Sequence, residues 1–130
     1  MFRADLTIDS LKDVTVLECH YVLDRNTDPT GRPAEDVRGG KVTIKIESSD
    51  DTTLFEWVIN PYAQKDGEIT FFKRNDPVAA KVLKFKEAYL VEYGEAFNSE
   101  SRQPMVQSFT ISARIIELGG GKFENKWTKS

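Results

Sequence analysis

Alternating apolar and polar positions dominate the chain and predict a protein built mainly of antiparallel β-strands. In the clearest case, Val42, Ile44 and Ile46 alternate with polar residues between Lys41 and Glu47. A period of two places one face of a strand on the core and the other in solvent. The same reasoning predicts strands at Phe2 to Ile8, Val14 to Asp24, Glu68 to Arg74, Leu83 to Phe97 and Met105 to Leu118.

Turn residues and changes of register divide these strands. A polar turn at Asp9 to Asp13 predicts a hairpin between the first two strands, and Asp66-Gly67 precedes the strand at Glu68. The apolar register switches near Glu87 and Ala88, which predicts a bulge or bend there. The run Gly119 to Gly121 ends the last strand, and Asp76-Pro77 predicts a short helix because proline suits a first helical position.

One segment has helical rather than strand spacing. After the capping candidates Asp50 and Asp51, apolar residues recur three to four positions apart, which predicts one amphipathic helix. Pro61 removes a backbone donor, so the helix is expected to kink or stop near Asn60. Trp57 is predicted to anchor the helix on the sheet. The apolar stripe consists of Leu54, Phe55, Trp57, Val58, Ile59 and Tyr62.

The segment Asn26 to Gly40 has no hydrophobic periodicity and is rich in glycine, proline and charge. It predicts a long ordered loop or a flexible arm. Loops of this length are uncommon in compact domains unless they carry function or contacts, so contact with another subunit would explain it. An idle surface loop remains the alternative.

Composition fits a single compact domain over residues 1–130. Apolar residues make up 39% and charged residues 30% of the chain, which suits a globular protein and excludes a disordered one. The formal net charge of -3 argues against nucleic-acid binding. The first thirty residues lack an apolar run long enough for a signal peptide or a membrane span, so we expect a cytoplasmic protein unless a machine exports it.

A search for chemistry predicts neither a catalytic site nor a cofactor or metal. Cys19 and His20 are the only cysteine and histidine, and as neighbours on a strand they point to opposite faces, which excludes a thiol-imidazole pair. Cys19 is therefore predicted to be a small core residue. Aromatic residues interleave with basic ones in the strands, which would suit a single-stranded nucleic-acid platform but is also typical of any half-buried strand.

Four stretches resemble one known family over nearly the whole chain. They are VTVLECHYVLDRNTDPTGRP, RGGKVTIKIESSDDTTLFEWVINPY, KDGEITFFKR and SFTISARIIELGG, and they resemble the Hcp-like tube proteins of type VI secretion, in the branch called TssD. The resemblance implies a two-sheet antiparallel β-barrel with one flanking α-helix. It also implies a non-enzymatic subunit without cofactors.

The resemblance further implies assembly and partners. Six copies would form a ring, and stacked rings would form a hollow tube inside contractile sheath proteins, beneath a VgrG-like spike and with effector proteins in the lumen. Sheath contraction would export the tube without a signal peptide, and neither nucleic acid nor membrane is an expected partner. An extended loop would contact neighbouring subunits through Asp28, Pro29, Thr30, Gly31, Arg32, Pro33, Arg38, Gly39 and Gly40.

Two alternatives from other functional classes remain open. The first is a monomeric barrel that binds a small ligand in its interior, which would need an apolar cavity and no ring. The second is an enzyme, for which the only indications are Cys19, His20 and the numerous carboxylates.

Overall fold

The computed structural model describes residues 2–127, which form seven strands and one helix. The elements are β1 (Phe2–Ile8), β2 (Leu11–Tyr21), β3 (Lys41–Glu47), α1 (Thr53–Val58), β4 (Lys65–Lys73), β5 (Ala79–Phe97), β6 (Met105–Leu118) and β7 (Gly121–Glu124).

The strands form an antiparallel sheet that closes on itself. Their order is β3-β2-β1-β4-β5-β6-β7, and β3 also pairs with β6, from Lys41 opposite Ser112 to Glu47 opposite Val106. The same edge of β6 then pairs with β7 beyond Ile115. Closure leaves no free edge in the six-stranded barrel. The predicted antiparallel β-barrel with one flanking helix is confirmed.

Strict alternation of strand direction sorts the connections between the two ends of the barrel. Residues 9–10, 48–64 and 98–104 connect strands at one end, which also carries α1 and is called the helix end. Residues 22–40, 74–78 and 119–120 connect strands at the opposite end. Residues 22–40 are called the arm, and this end the arm end.

A bulge in β2 explains why both faces of this strand contain apolar residues. Register against β3 shifts between Val16 and Glu18, which inserts one residue into β2. Val14 and Val16 pack on the core before the bulge, whereas Cys19 and Tyr21 pack on it afterwards. The prediction that Cys19 is a core residue is confirmed, although the strand ends at Tyr21 rather than Asp24.

The predicted irregularity near Glu87 is confirmed, and it involves two strands. Glu87 has a φ of 51°, and the register of β4 against β5 shifts beside it. Core-facing residues of β5 have odd numbers up to Phe85 and change to even numbers at Ala88. A matching change occurs in β6 between Ala113, which pairs with Ala88, and Ile116, which pairs with Phe85. Arg114 donates from Nε to Glu87 Oε2 at 2.8 Å across this site. The two strands therefore turn together.

Helix α1 is shorter than its apolar stripe and buries only part of it. Asp51 binds the first helical amide, Thr53 N, at 2.7 Å, and the helix ends at Val58, close to the predicted stop. Leu54 and Trp57 are buried, and the Trp57 indole donates to Ala63 O at 2.9 Å. The prediction that Trp57 anchors the helix is confirmed.

The predicted burial of the other half of the apolar stripe is wrong. Phe55, Ile59 and Tyr62 are 52%, 65% and 88% exposed. A six-residue helix can pack only a few side chains on the barrel, and in α1 these are Leu54 and Trp57. Ile59 and Tyr62 lie after the last helical residue, so helical spacing no longer directs their side chains.

Two turn predictions are corrected, and the third, that glycines from Gly119 end the long strand at Leu118, is confirmed. Asp66-Gly67 lies inside β4, where a Gly67 Cβ would lie 2.5 Å from Phe85 Cζ, so glycine is needed for close packing. Asp76-Pro77 begins no helix, because the Asp76 carboxylate accepts a hydrogen bond from Val78 N and stabilises a turn instead. The glycines from Gly119 form a hairpin turn into β7, a strand that the sequence did not predict.

Candidate subunit interface

The arm is an irregular hairpin with its own hydrogen bonds. Asp24 and Arg38 exchange backbone hydrogen bonds of 3.0 and 2.7 Å, and Ala34 N donates to Asn26 O at 2.9 Å. An ion pair of 3.5 Å joins the side chains of Arg38 and Asp24. The predicted loop is therefore ordered within the chain.

A proline turn closes the tip of the arm. Asp28, Pro29 and Gly31 occupy the positions that a type I turn prefers, and Gly31 N donates to Asp28 O at 2.9 Å. The Asp28 carboxylate fixes the turn through one oxygen, Oδ1. This atom accepts from Thr30 N at 2.9 Å, Thr30 Oγ1 at 2.7 Å and Arg32 N at 3.0 Å.

These hydrogen bonds predict that the tip loosens in acid. They lower the pKa of Asp28, the Thr30 hydroxyl contributing most and Arg32 N next. A carboxyl whose folded pKa is depressed stabilises the tip above its unfolded pKa, and that stabilisation is lost as pH falls through the folded pKa. A carboxyl NMR titration should therefore place Asp28 below an ordinary aspartate.

Asp28→Asn provides the matched control. Asparagine keeps an Oδ1 acceptor but does not titrate. The protection of the Thr30 and Arg32 amides against hydrogen exchange, relative to the intrinsic exchange rate at each pH, should therefore lose its acid dependence in this variant. An Asp28 pKa at or above the ordinary value would contradict the prediction.

The base of the arm is fastened to the barrel by a residue that the sequence analysis missed. Asn125, which follows β7, donates from Nδ2 to Gly39 O at 3.2 Å and to Ala113 O at 3.0 Å. Ala113 N in turn donates to Gly40 O at 2.7 Å. Gly40 is buried with a φ of 101°, and a Cβ there would lie 2.4 Å from Asn125 Nδ2. We call this arrangement the arm latch.

Between the tip and the latch, the arm exposes its side chains. Every residue from Pro29 to Arg38 is exposed, including Val37. Within residues 2–127, the Arg32 guanidinium takes part in no ion pair or side-chain hydrogen bond that ties it to the barrel. The arm is thus held in shape by its own hydrogen bonds and presents apolar, basic and acidic groups outwards.

The structure places the nine predicted interface residues in two groups. Six lie in the tip half and three at the base. The tip group is Asp28, Pro29, Thr30, Gly31, Arg32 and Pro33; the base group is Arg38, Gly39 and Gly40. Their contact with a neighbouring subunit stays a prediction.

A groove of about 690 Å³ lies between the base of the arm and the last hairpin. Strand β7 borders it, and among the described residues β7 pairs only with β6, so its outer edge is free. An unpaired strand edge beside an apolar groove is suited to contact with another chain. Apolar side chains that line it include Tyr21, Leu23, Val37, Ile116, Leu118 and Phe123.

The structure does not assemble Cys19 and His20 into a catalytic pair. Cys19 faces the core, and burial raises the pKa of its thiol to about 11, so the thiol stays protonated at neutral pH. His20 is exposed. Residues 2–127 contain no group of three or more metal-ligating side chains, and no helix among them is long and apolar enough to cross a membrane.

Comparison with known proteins gives one consistent relationship. The family model of the hemolysin coregulated protein Hcp (TssD) matches residues 1–128. Hcp1 from Flavobacterium johnsoniae is 45% identical, with a TM-score of 0.88 over 95% of this chain and 99% of that one. No curated protein matches the chain.

More distant structures share the fold. Hcp1 from Salmonella typhimurium is 13% identical, with a TM-score of 0.73 over 94% of this chain and 91% of that one. A chain of the anti-feeding prophage baseplate is 12% identical, with a TM-score of 0.54 over 92% of each chain. With the whole-chain match and the 45% identical relative, the resemblance seen in the sequence is confirmed: the chain belongs to the TssD family of Hcp proteins, the tube proteins of type VI secretion.

Proposed function

We propose that this chain forms homohexameric rings that stack into the hollow inner tube of a type VI secretion system, and that sheath contraction expels this tube with its effectors. The observation that carries the proposal is the arm. It is ordered by internal hydrogen bonds and by the arm latch, yet its side chains are exposed. Ordering a long segment costs conformational entropy, and contacts between the arm and a neighbouring subunit would offset that cost.

The surface of the chain also supports a ring. A closed ring of identical subunits needs two different, complementary patches on each subunit. The free edge of β7 with its adjoining groove supplies one distinctive patch, and the arm beside it supplies extended reach.

The outer face of β3 and β6 suits the wall of a wet lumen. Outward residues there are polar or charged, with Thr43, Lys45 and Glu47 on β3 beside Thr110 and Ser108 on β6, and Thr43 Oγ1 lies 3.1 Å from Thr110 Oγ1. A hydrophilic wall lets effectors pass without trapping them by apolar contact. Sheath proteins outside the tube and a VgrG-like spike at its tip complete the proposed set of partners, and no cofactor or enzymatic activity is part of the proposal.

The alternative of a ligand-binding monomer has less support. Such a protein needs space inside the barrel. Here the interior is filled by fully buried side chains of the strands, among them Phe85, Phe109 and Ile111.

Solution mass is the first test of the proposal. Light scattering on purified protein should give six times the chain mass of 14.8 kDa, and negative-stain images of the same peak should show rings with a central hole. A strict monomer at high concentration would contradict ring formation and favour the ligand-binding barrel.

Changes to the arm should uncouple folding from assembly. Arg32→Glu, or deletion of Gly31 to Asp36, should leave a folded barrel because these residues make no core contact. Ring or tube formation should be impaired, because Arg32→Glu reverses one charge on the arm and the deletion removes the tip. Arg32→Lys, which keeps the charge, is the control. Normal rings and tubes from the deletion variant would show that the arm is an idle loop.

A further inference from the structure

The chain that follows β7 crosses β6. Asn125 N donates to Arg114 O at 2.7 Å, on the edge of β6 that also pairs with β3 and β7. Two residues later, the Trp127 ring packs on the Tyr89 ring, at 5.5 Å between centroids. Tyr89 belongs to β5, which is the neighbour of β6 on its other edge. Residues 125–127 therefore span the width of β6.

An ion pair fastens the same segment before it crosses. Arg114 donates from Nη1 to Glu124 Oε2 at 2.8 Å, and its Nε donates to Glu87 Oε2 at 2.8 Å, at the bend of β5. Asn125 is thus held on both sides, by this ion pair before it and by the aromatic contact after it. We call residues 124–127 the clasp.

The arm latch lies in the middle of the clasp. Asn125 Nδ2 donates to Gly39 O at 3.2 Å and to Ala113 O at 3.0 Å. A side-chain amide can hold two carbonyl groups at low entropic cost only when its own backbone is already fixed. The flanking contacts of the clasp provide this fixation, and both are made by residues outside the arm. The order of the arm base therefore depends on contacts that the arm itself does not make.

The contacts that hold the clasp lie near the surface. Trp127 is 38% exposed, and Glu124 is exposed as well. Within residues 2–127, β7 pairs with β6 alone, whereas each strand of the barrel has at least two partner strands. A segment with few buried apolar contacts and exposed backbone hydrogen bonds opens at a low free energy. The clasp is therefore expected to open more often than the barrel, and each opening releases Gly39.

We propose that the clasp and the arm form one local opening unit, in which Trp127 and Tyr89 are positioning residues that keep the arm in the shape needed for contact with a neighbouring subunit. When the clasp opens, Asn125 withdraws from Gly39 and the arm base loses its fixed direction. The contact with a neighbour rests on the proposed function, whereas the coupling within the chain does not.

Trp127→Ala tests this coupling from outside the arm. Hydrogen exchange is measured at a dilution where light scattering gives the mass of the single chain. The Asp24 and Arg38 amides, which are hydrogen-bonded across the arm, should exchange roughly two- to tenfold faster after the loss of one aromatic contact. Trp127→Phe keeps a ring on Tyr89 and should restore slow exchange. Val91→Ala alters an exposed residue of the same strand outside the clasp, and should change nothing.

Two further measurements separate coupling from a general loss of stability. Tyr89→Ala should speed the same arm amides, and Tyr89→Ala/Trp127→Ala should speed them no more than either single change, because the two rings act through one contact. At urea concentrations below global unfolding, the arm amides and the Asn125 amide should converge on one opening free energy, since one event exposes them.

Unchanged arm exchange in Trp127→Ala would overturn the inference, because the arm would then be ordered independently of the clasp. An equal rise in the exchange of β3 and β6 would also overturn it, as the change would be global. Ring formation should fall in Trp127→Ala and recover in Trp127→Phe. Absence of rings in the parent protein would refute the proposed function, while the exchange of the arm amides would still decide the coupling.

Discussion

Trp57→Ala should lower the free energy of unfolding by about 3–5 kcal/mol, the usual cost of truncating a buried tryptophan. Trp57 is 2% exposed and is one of the two residues through which α1 is buried. Its indole also donates the hydrogen bond to Ala63 O that holds the chain after the helix. Urea unfolding followed by far-UV circular dichroism measures the loss, with protein concentration held constant because assembly shifts apparent stability.

Val78→Ala is the matched surface control for this measurement. Val78 is 70% exposed in the turn between β4 and β5, so truncation there should change stability by no more than about 0.5 kcal/mol. Equal stability losses in the two variants would contradict the view that Trp57 anchors the helix.

Gly40→Ala should be the most damaging small substitution in the arm, at about 2–4 kcal/mol from backbone strain and lost hydrogen bonds. A methyl group at this φ of 101° would lie 2.4 Å from Asn125 Nδ2 and 2.7 Å from Ala113 O. Asn125 must then move, and the arm latch opens. Hydrogen exchange should show faster exchange throughout the arm, and ring formation should weaken with it.

Gly94→Ala is the control for Gly40→Ala. A Cβ at Gly94 would meet nothing within 4 Å, so alanine should be neutral or stabilise by about 0.4–1 kcal/mol through the unfolded chain. Asn125→Ala should reproduce the loosened arm of Gly40→Ala without the backbone strain. A rigid arm in both latch variants would mean that the hydrogen bonds of the hairpin are sufficient to hold it.

Much of the barrel could be predicted because its core strands follow simple periodicity. Val42, Ile44 and Ile46 are buried as their alternation requires, and the bend at Glu87 shows as a break in parity. The burial of the helix was harder to predict. Apolar spacing indicates which face of a helix can be buried, but not how much of that face the barrel covers. Its short length left Ile59 and Tyr62 exposed.

The arm was recognisable by its lack of periodicity, but its attachment was not. Asn125 lies 86 positions from Gly39, and a single asparagine after a short strand carries no local signal. Such contacts depend on which strands become neighbours, which the sequence pattern alone does not specify. The residues of the tip were predictable because aspartate, proline and glycine have turn preferences of their own.

In both β5 and β6 the core-facing positions change from odd to even numbers at the same place, and this constrains the lengths of the two strands. Deleting one residue near Glu87 alone would turn the following core side chains of β5 towards solvent, while β6 stayed in place. A matching deletion near Arg114 would restore the pairing of the two strands. Insertions and deletions at this level of the barrel are therefore tolerable only as compensated pairs, so the lengths of β5 and β6 are expected to covary among related chains.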